Sequence, residues 1–334
     1  IEEDGTERKC DASPVVPAVT TAPRAPANRK WKVGVAGFGP DEGAESAMRG
    51  LFDGMRELGY EEGHNLTVRR THASGEIANI PTMLQELDSG DSDAIVTLST
   101  PVLVSACTAV RRKPVVFTYV IDPIAAGAGR TTEDHLPHIT GVSCFPPLEQ
   151  TIEFCALTFT NLKTIGTFYN AGEANATRAV SALRALSAKR GFKFIELTLT
   201  GTAEVSAVAE AIAARKPDVI IVPADNTIYQ AFDAVLQVAI RRRLPVIIDA
   251  PEFVTNGVLA AVGSGYYQTG KAAAEPLARV LNGQSPAGIP FTNVTVETIV
   301  LNEATAGRLG LTFPQAVKDM QARRPGVLPA PPAK

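Results

Sequence analysis

Aromatic residues make up only 6% of this 334-residue chain and charged residues only 20%, with a formal net charge of −3. A balance so close to neutral carries no basic footprint, so no nucleic-acid partner is expected. No apolar run reaches the ~18 residues that cross a bilayer. The longest candidate, "DAIVTLSTPVLVSACTAV", is broken by Ser99, Thr100 and Pro101 and reads as strand, loop and helix. Ile1 does not open a signal-peptide pattern. Cysteine is scarce too: four residues, with no CxxC and no Cys/His cluster, exclude a disulfide scaffold and a zinc site of ordinary spacing. Cys144 ends a strand and Cys155 lies in the next helix, near enough for a disulfide, although buried free thiols are the commoner arrangement. Cys10 follows "GTERK", which is not the small, apolar context of a lipid anchor. The four histidines, His64, His72, His135 and His138, sit in or beside loops and edge strands and read as solvated rather than as metal ligands. The nucleophile elbow G-x-S-x-G, the zinc-protease H-E-x-x-H and a Walker loop are missing. "GFGPDEG" at 37–43 follows a strand but lacks dinucleotide spacing. The expectation is a binding protein with no cofactor and no metal, not an enzyme.

What is present is a regular alternation. Apolar runs such as "WKVGVAGF", "DAIVTLS", "PVVFTYV", "DVIIVPA" and "PVIIDA" are mostly followed by segments of helical period such as "GAESAMRGLFDGMRELGY". Alternating β and α with apolar strands predicts parallel sheets covered by helices on both faces, an α/β fold. Residues 1–29, charged and then rich in Pro, Ala and Thr, read as a disordered tether or linker, and 316–334 as a C-terminal tail.

The chain also echoes itself. "KVGVAGFGPDEGAESAMRGLFDGMRELGY" (32–60) lies without gaps on "TIGTFYNAGEANATRAVSALRALSAKRGF" (164–192), and 93–123 echoes 218–251. A repeat some 130 residues apart is far too long for a solenoid and predicts two lobes of one topology. The first lobe is expected over 30–158 plus about 266–283, the second over 159–265 plus about 290–315, with crossing segments near 145–160, 250–265 and 283–297. Ligands of open parallel sheets bind outside the carboxyl ends of the strands. If the lobes face each other there, the loops 38–44, 99–102, 121–126, 170–176, 224–228 and 249–253 converge on one cleft, with Asp225-Asn226-Thr227 opposite Ser99-Thr100-Pro101.

These stretches resemble the ABC-transporter substrate-binding protein family that includes tryptophan and tyrosine binders. The resemblance runs from about Lys32 to Pro314 through "RGLFDGMRELGYEEGHNLTV", "STP" (99–101), "PVVFTYVIDPIAAG" (114–127), "ITGVS" (139–143), "YNAGEAN" (169–175), "DNT" (225–227) and "GYYQTGKAAA" (265–274). It implies the type I periplasmic-binding-protein fold, two Rossmann-like lobes joined by a hinge that close around one small ligand. It further implies a monomer on the periplasmic or outer face of the cytoplasmic membrane, with an ABC permease as partner. The first-strand loop "GFGPDEGAES" departs from the bulky element that family members often carry there. A sensory input domain of a receptor or regulator is the alternative use of the same fold.

An amino-acid-like ligand, aromatic or otherwise apolar, presents a carboxylate, an ammonium and a side chain. Helix starts after Ser99-Thr100 and after Glu173-Ala174-Asn175 offer N–H groups to a carboxylate. Asp225 or Glu173, with Asp249 in reserve, are candidate acceptors for the ammonium. Phe38, Tyr119, Tyr169 and Tyr267 are candidate stacking partners, and Asp122, Asn170, Asn226 and Thr227 complete the expected site. Each has a structural alternative: Ser99, Thr100 and Asp225 as helix caps, Glu173 as a dipole partner, Asp122 as a turn former, the aromatics as core.

Overall fold

The computed structural model describes residues 23–26, 29–255, 257–294 and 296–323. The strands are β1 (Trp31–Gly37), β2 (Leu66–His72), β3 (Ala94–Leu98), β4 (Val115–Val120), β5 (Ile139–Ser143), β6 (Thr164–Asn170), β7 (Lys193–Leu199), β8 (Val219–Val222), β9 (Val246–Ile248), β10 (Ala260–Ser264), β11 (Thr292–Asn293) and β12 (Glu297–Leu301). The helices are α1 (Glu42–Glu57), α2 (Ile80–Ser89), α3 (Thr100–Ala109), α4 (Leu148–Thr158), α5 (Ala174–Lys189), α6 (Val205–Ala214), α7 (Asn226–Gln230), α8 (Phe232–Arg242), α9 (Tyr266–Leu281), α10 (Glu303–Leu309) and α11 (Gln315–Ala322).

Strands β3, β4, β8 and β9 are buried along their whole length, as strands covered on both faces must be. The twelve strands form two six-stranded sheets, β11-β5-β4-β3-β1-β2 and β12-β10-β9-β8-β6-β7. Position by position the orders are the same, so the sequence echo is a duplicated topology. Among the named strands of the described residues, β10 with β12 is the antiparallel pair.

The lobes are tied by an exchange. α9 follows β10 of the second sheet but packs on α1, β4 and β5 of the first. α4 follows β5 of the first sheet but packs on α5 and β10 of the second. The expected boundary at 158 therefore moves: Leu148, Ile152, Phe154 and Cys155 belong to the second lobe's core. The third crossing joins β11 to β12, which places 292–293 in the first lobe although 290–315 was expected in the second. The expected tail likewise begins as structure, because Val317 and Met320 of α11 are buried with Phe154 and Phe313. Residues 1–22, most of the expected tether, lie outside the described residues, as do Cys10 and 324–334. Ala25 is anchored, its N–H donating to the Leu58 carbonyl at 2.9 Å.

Cys107, Cys144 and Cys155 are buried free thiols. Cys144 and Cys155 sit in different core clusters, so they form no disulfide. Among the described residues no helix is long and apolar enough to cross a membrane, and no group of His, Cys, Asp or Glu has the makings of a metal site.

Candidate functional site

Asp225 stands where the buried strand β8 hands over to α7. Its carboxylate is wholly buried. Oδ1 accepts from the Ile228 N–H at 2.9 Å, which caps α7, and Oδ2 accepts from the Asn170 N–H at 2.6 Å, which ties the cap to the end of β6. The rest of the tripeptide is held by Glu173. Oε1 accepts from the Thr227 N–H (2.8 Å) and hydroxyl (2.6 Å), and Oε2 from the Asn226 N–H (3.0 Å), the Asn226 amide (2.6 Å) and the Asn175 amide (3.1 Å). Asn170 Nδ2 donates to the Thr227 hydroxyl at 2.8 Å. Glu173 precedes α5 yet makes no side-chain cap for it; it spends its acceptors on the first turn of α7. Burial, and next the charge of Glu173, raise the Asp225 carboxyl well above its ordinary range. Helix α7 then breaks at Ala231 (φ −122°) before α8.

The opposite jaw is built on two strained residues. Ser99 (φ 86°) and Tyr119 (φ 59°) lie in the left-handed region that L side chains avoid, a pattern concentrated at functional sites. The Ser99 hydroxyl is buried without a partner and does not cap α3. Thr100 Oγ1 accepts from the Ile121 N–H at 3.4 Å. The Tyr119 ring stands edge-on to Tyr266, centroids 4.4 Å apart. Its hydroxyl donates to Asp41 Oδ1 at 3.1 Å, the same oxygen that caps α1 through the Ala44 N–H. Burial pushes the Asp41 carboxyl up to about 6.

Between the jaws lies a narrow, nearly closed crevice of about 10 Å³, lined from one lobe by Thr100, Tyr119, Ile121 and Tyr266 and from the other by Asn175, Ala224, Asp225, Asn226 and Tyr229. STP and DNT thus face a shared space. The lobes also meet around it. Gln230 Nε2 donates to the Pro40 carbonyl at 3.0 Å, and Arg178 Nε pairs with Asp122 Oδ2 at 3.3 Å while its guanidinium lies over Phe145. Glu252 Oε1 accepts from Ser46 Oγ (3.1 Å) and from the Tyr266 N–H (2.7 Å).

Other expected residues lie elsewhere. Phe38 is core beside Ala73 and Ile80, and Tyr169 packs on Ala176 and Val180 beneath α5. Tyr267 donates its hydroxyl to Asp53 Oδ2 on α1 at 2.7 Å; its neighbour Tyr266 is the one that faces the crevice. Asp122 Oδ1 accepts from the N–H groups of Ile124 (3.1 Å) and Ala125 (2.9 Å), a turn, while its other oxygen reaches Arg178. Asp249 does not line the crevice; Oδ1 accepts the Tyr229 hydroxyl, and Oδ2 is buried without a partner. Burial raises its carboxyl to about 7. Sequence reasoning missed Ile121, Ala224, Tyr229, Tyr266 and Asp41. Asp41 was signalled as the counterpart of Glu173 in the internal echo, whereas Tyr229 became visible only with the break after α7.

A family model described as ABC transporter substrate binding protein matches residues 32–323. A tyrosine-binding protein of Clostridioides difficile (strain R20291) is 26% identical over 283 residues, 85% of this chain and 82% of that protein. The structure of an ABC domain from Streptococcus pneumonia in complex with L-Trp is 28% identical, covers 87% of this chain and 98% of its own, and superposes with a TM-score of 0.83. The ligand-free, open structure of a substrate-binding protein with adhesive properties from Clostridium difficile is 27% identical over 85% of this chain and 96% of its own, with a TM-score of 0.64.

Proposed function

Because this chain belongs to the ABC transporter substrate-binding protein family, we propose that it captures an aromatic L-amino acid between its lobes and delivers it to an ABC permease. It acts as a monomer on the outer side of the cytoplasmic membrane, and hinge closure is the capture step. The observation that carries this reading is the crevice itself, where three tyrosines and the start of α3 meet DNT from the other lobe. The ligand carboxylate sits at the N-terminus of α3, where Thr100 lines the crevice and the positive end of the helix dipole favours an anion. Its side chain packs among the tyrosine rings. The better superposition on the L-Trp complex than on an open, ligand-free relative of similar identity supports a closed arrangement of the lobes.

The test is a thermal-shift and calorimetric screen of amino acids, aromatic acids and sugars. L-Trp or L-Tyr at 100 times its Kd is expected to stabilise the protein by about 2.7 kcal/mol. Stabilisation by sugars, with none by aromatic amino acids, counts against the assignment.

A second expectation tests the crevice without touching its lining. A Cβ at Gly43 comes 2.7 Å from the Tyr119 hydroxyl and 2.9 Å from Tyr266 Cδ2. Gly43→Ala gains up to ~1 kcal/mol of helix propensity in α1, against a similar overpacking cost. Stability is therefore expected to change little, while affinity falls roughly tenfold as both tyrosines shift. Paired melting and calorimetry read the two effects separately.

A further inference from the structure

Among the described residues the buried polar side chains include Asp41, Glu173, Asp225 and Asp249 but no lysine, arginine or histidine. Asp225 lines the crevice and the other three acids lie behind its walls, with no buried cation of the protein's own to offset them. Glu173 and Asp225, the acids that sequence pointed to for the ammonium, already accept donors of their own lobe on both oxygens. The three tyrosines differ. Tyr119 and Tyr229, one from each lobe, line the crevice, and each donates its hydroxyl hydrogen to a carboxylate behind it, Asp41 and Asp249. A phenol whose hydrogen is committed in this way offers its neighbour only an acceptor. Tyr266 closes the group, its ring edge-on to that of Tyr119.

Resting on the aromatic amino-acid reading above, we infer that Asp41 and Asp249 are positioning residues that turn Tyr119 and Tyr229 into acceptors for the ligand's ammonium. The ligand then lies with its carboxylate at the start of α3 and its ammonium at the tyrosine end of the crevice. Neither aspartate touches the ligand. Each fixes the hydrogen of the tyrosine that does, and its negative charge reinforces the acceptor.

The groups facing each aspartate give the inference a pH signature. Asp41 is met by Tyr119 of β4, Glu45 of its own helix and Gln230 of α7. Asp249 is met by Tyr229 of α7, Tyr266 of α9, Glu252 in the turn after β9, and Cys144 at the crossing into α4. None of these is a cation. Burial holds the two carboxyls at about 6 and about 7 without ligand. An ammonium beside their tyrosines lowers both values, so binding releases protons. Affinity is then complete above about pH 7 and is lost as pH falls through 7 and then 6.

Calorimetry with L-tryptophan and with indole-3-propionate, which lacks only the ammonium, tests this on the intact chain. The analogue is expected to bind roughly 10- to 150-fold more weakly. L-tryptophan is expected to weaken by roughly tenfold or more from about pH 8 to about pH 5, with the analogue flat. Asp41→Asn and Asp249→Asn should each reduce both the discrimination and the pH slope, effects that a merely structural role would not produce. Equal affinities for the two ligands in the wild-type chain overturn the inference whatever the variants do, and leave an aromatic ligand standing. A flat pH profile for L-tryptophan, or variants that keep full discrimination, also overturn it. Binding of neither compound removes both this inference and the reading it rests on.

Discussion

Glu173→Ala is expected to destabilise the protein by about 4 kcal/mol and to weaken ligand binding at least ~100-fold. The carboxylate is 1% exposed and accepts from five donors. Removing it strands the Asn226 and Thr227 N–H groups away from water, and each unsatisfied buried donor costs ~1–3 kcal/mol, partly recovered by relaxation. α7 has only five residues, too few to hold itself together once its first turn is unpaired. Asp225 and Asn226 line the crevice, so the jaw is lost with the turn. Urea unfolding and calorimetry measure the two effects. Glu173→Gln separates shape from charge: it keeps the volume but presents an amide donor to a ring of donors, and should lose nearly as much. If Glu173→Ala unfolds within ~1 kcal/mol of the wild type, the network does not shape the jaw, and Glu173 is free for the ligand contact that its sequence position implied.

Gly270→Val is expected to cost about 3 kcal/mol, lowering the melting midpoint by roughly 4–5 °C. Helices α1 and α9 come from opposite ends of the chain and pack closely because glycines stand at the crossing. A Cβ at Gly270 would sit 1.8 Å from the Ala47 carbonyl oxygen, and one at Gly50 would sit 2.0 Å from the Tyr267 carbonyl oxygen. Backbone cannot move aside as a flexible side chain can, so the helices must part and open the cavity around Leu51, Ala273 and Leu277. α9 also carries Tyr266, so affinity should fall along with stability. A variant as stable as the wild type would show that the two helices tolerate a wider crossing.

Both effects act through residues whose importance was only half visible in sequence. Glu173 was singled out at a helix start, as an acceptor for the ligand's ammonium or as a partner of that helix's dipole. Its partners lie 53 and 54 positions away, on the start of a different helix. Sequence reasoning chose Tyr267 for the site and passed over its neighbour Tyr266. The helical turn of about 100° between them sends one into the crevice and the other to Asp53 on α1. Phe38 and Tyr169 were placed correctly at strand ends, but a strand residue's face depends on which sheet and helix cover it.

The sequence by itself determined the alternation of strands and helices, the duplication, and the loops that gather at the strand ends, because periodicity and caps are local and each copy repeats them. Only the tertiary structure decided the exchange of α4 and α9 between lobes, the commitment of Glu173 and Asp225 to their own jaw, and the convergence of Tyr119, Tyr229 and Tyr266 with Asp41 and Asp249 behind two of them. Those outcomes depend on which distant donor meets which acceptor when apolar surfaces are buried. A local pattern lists the groups that need partners but cannot pair them across the fold.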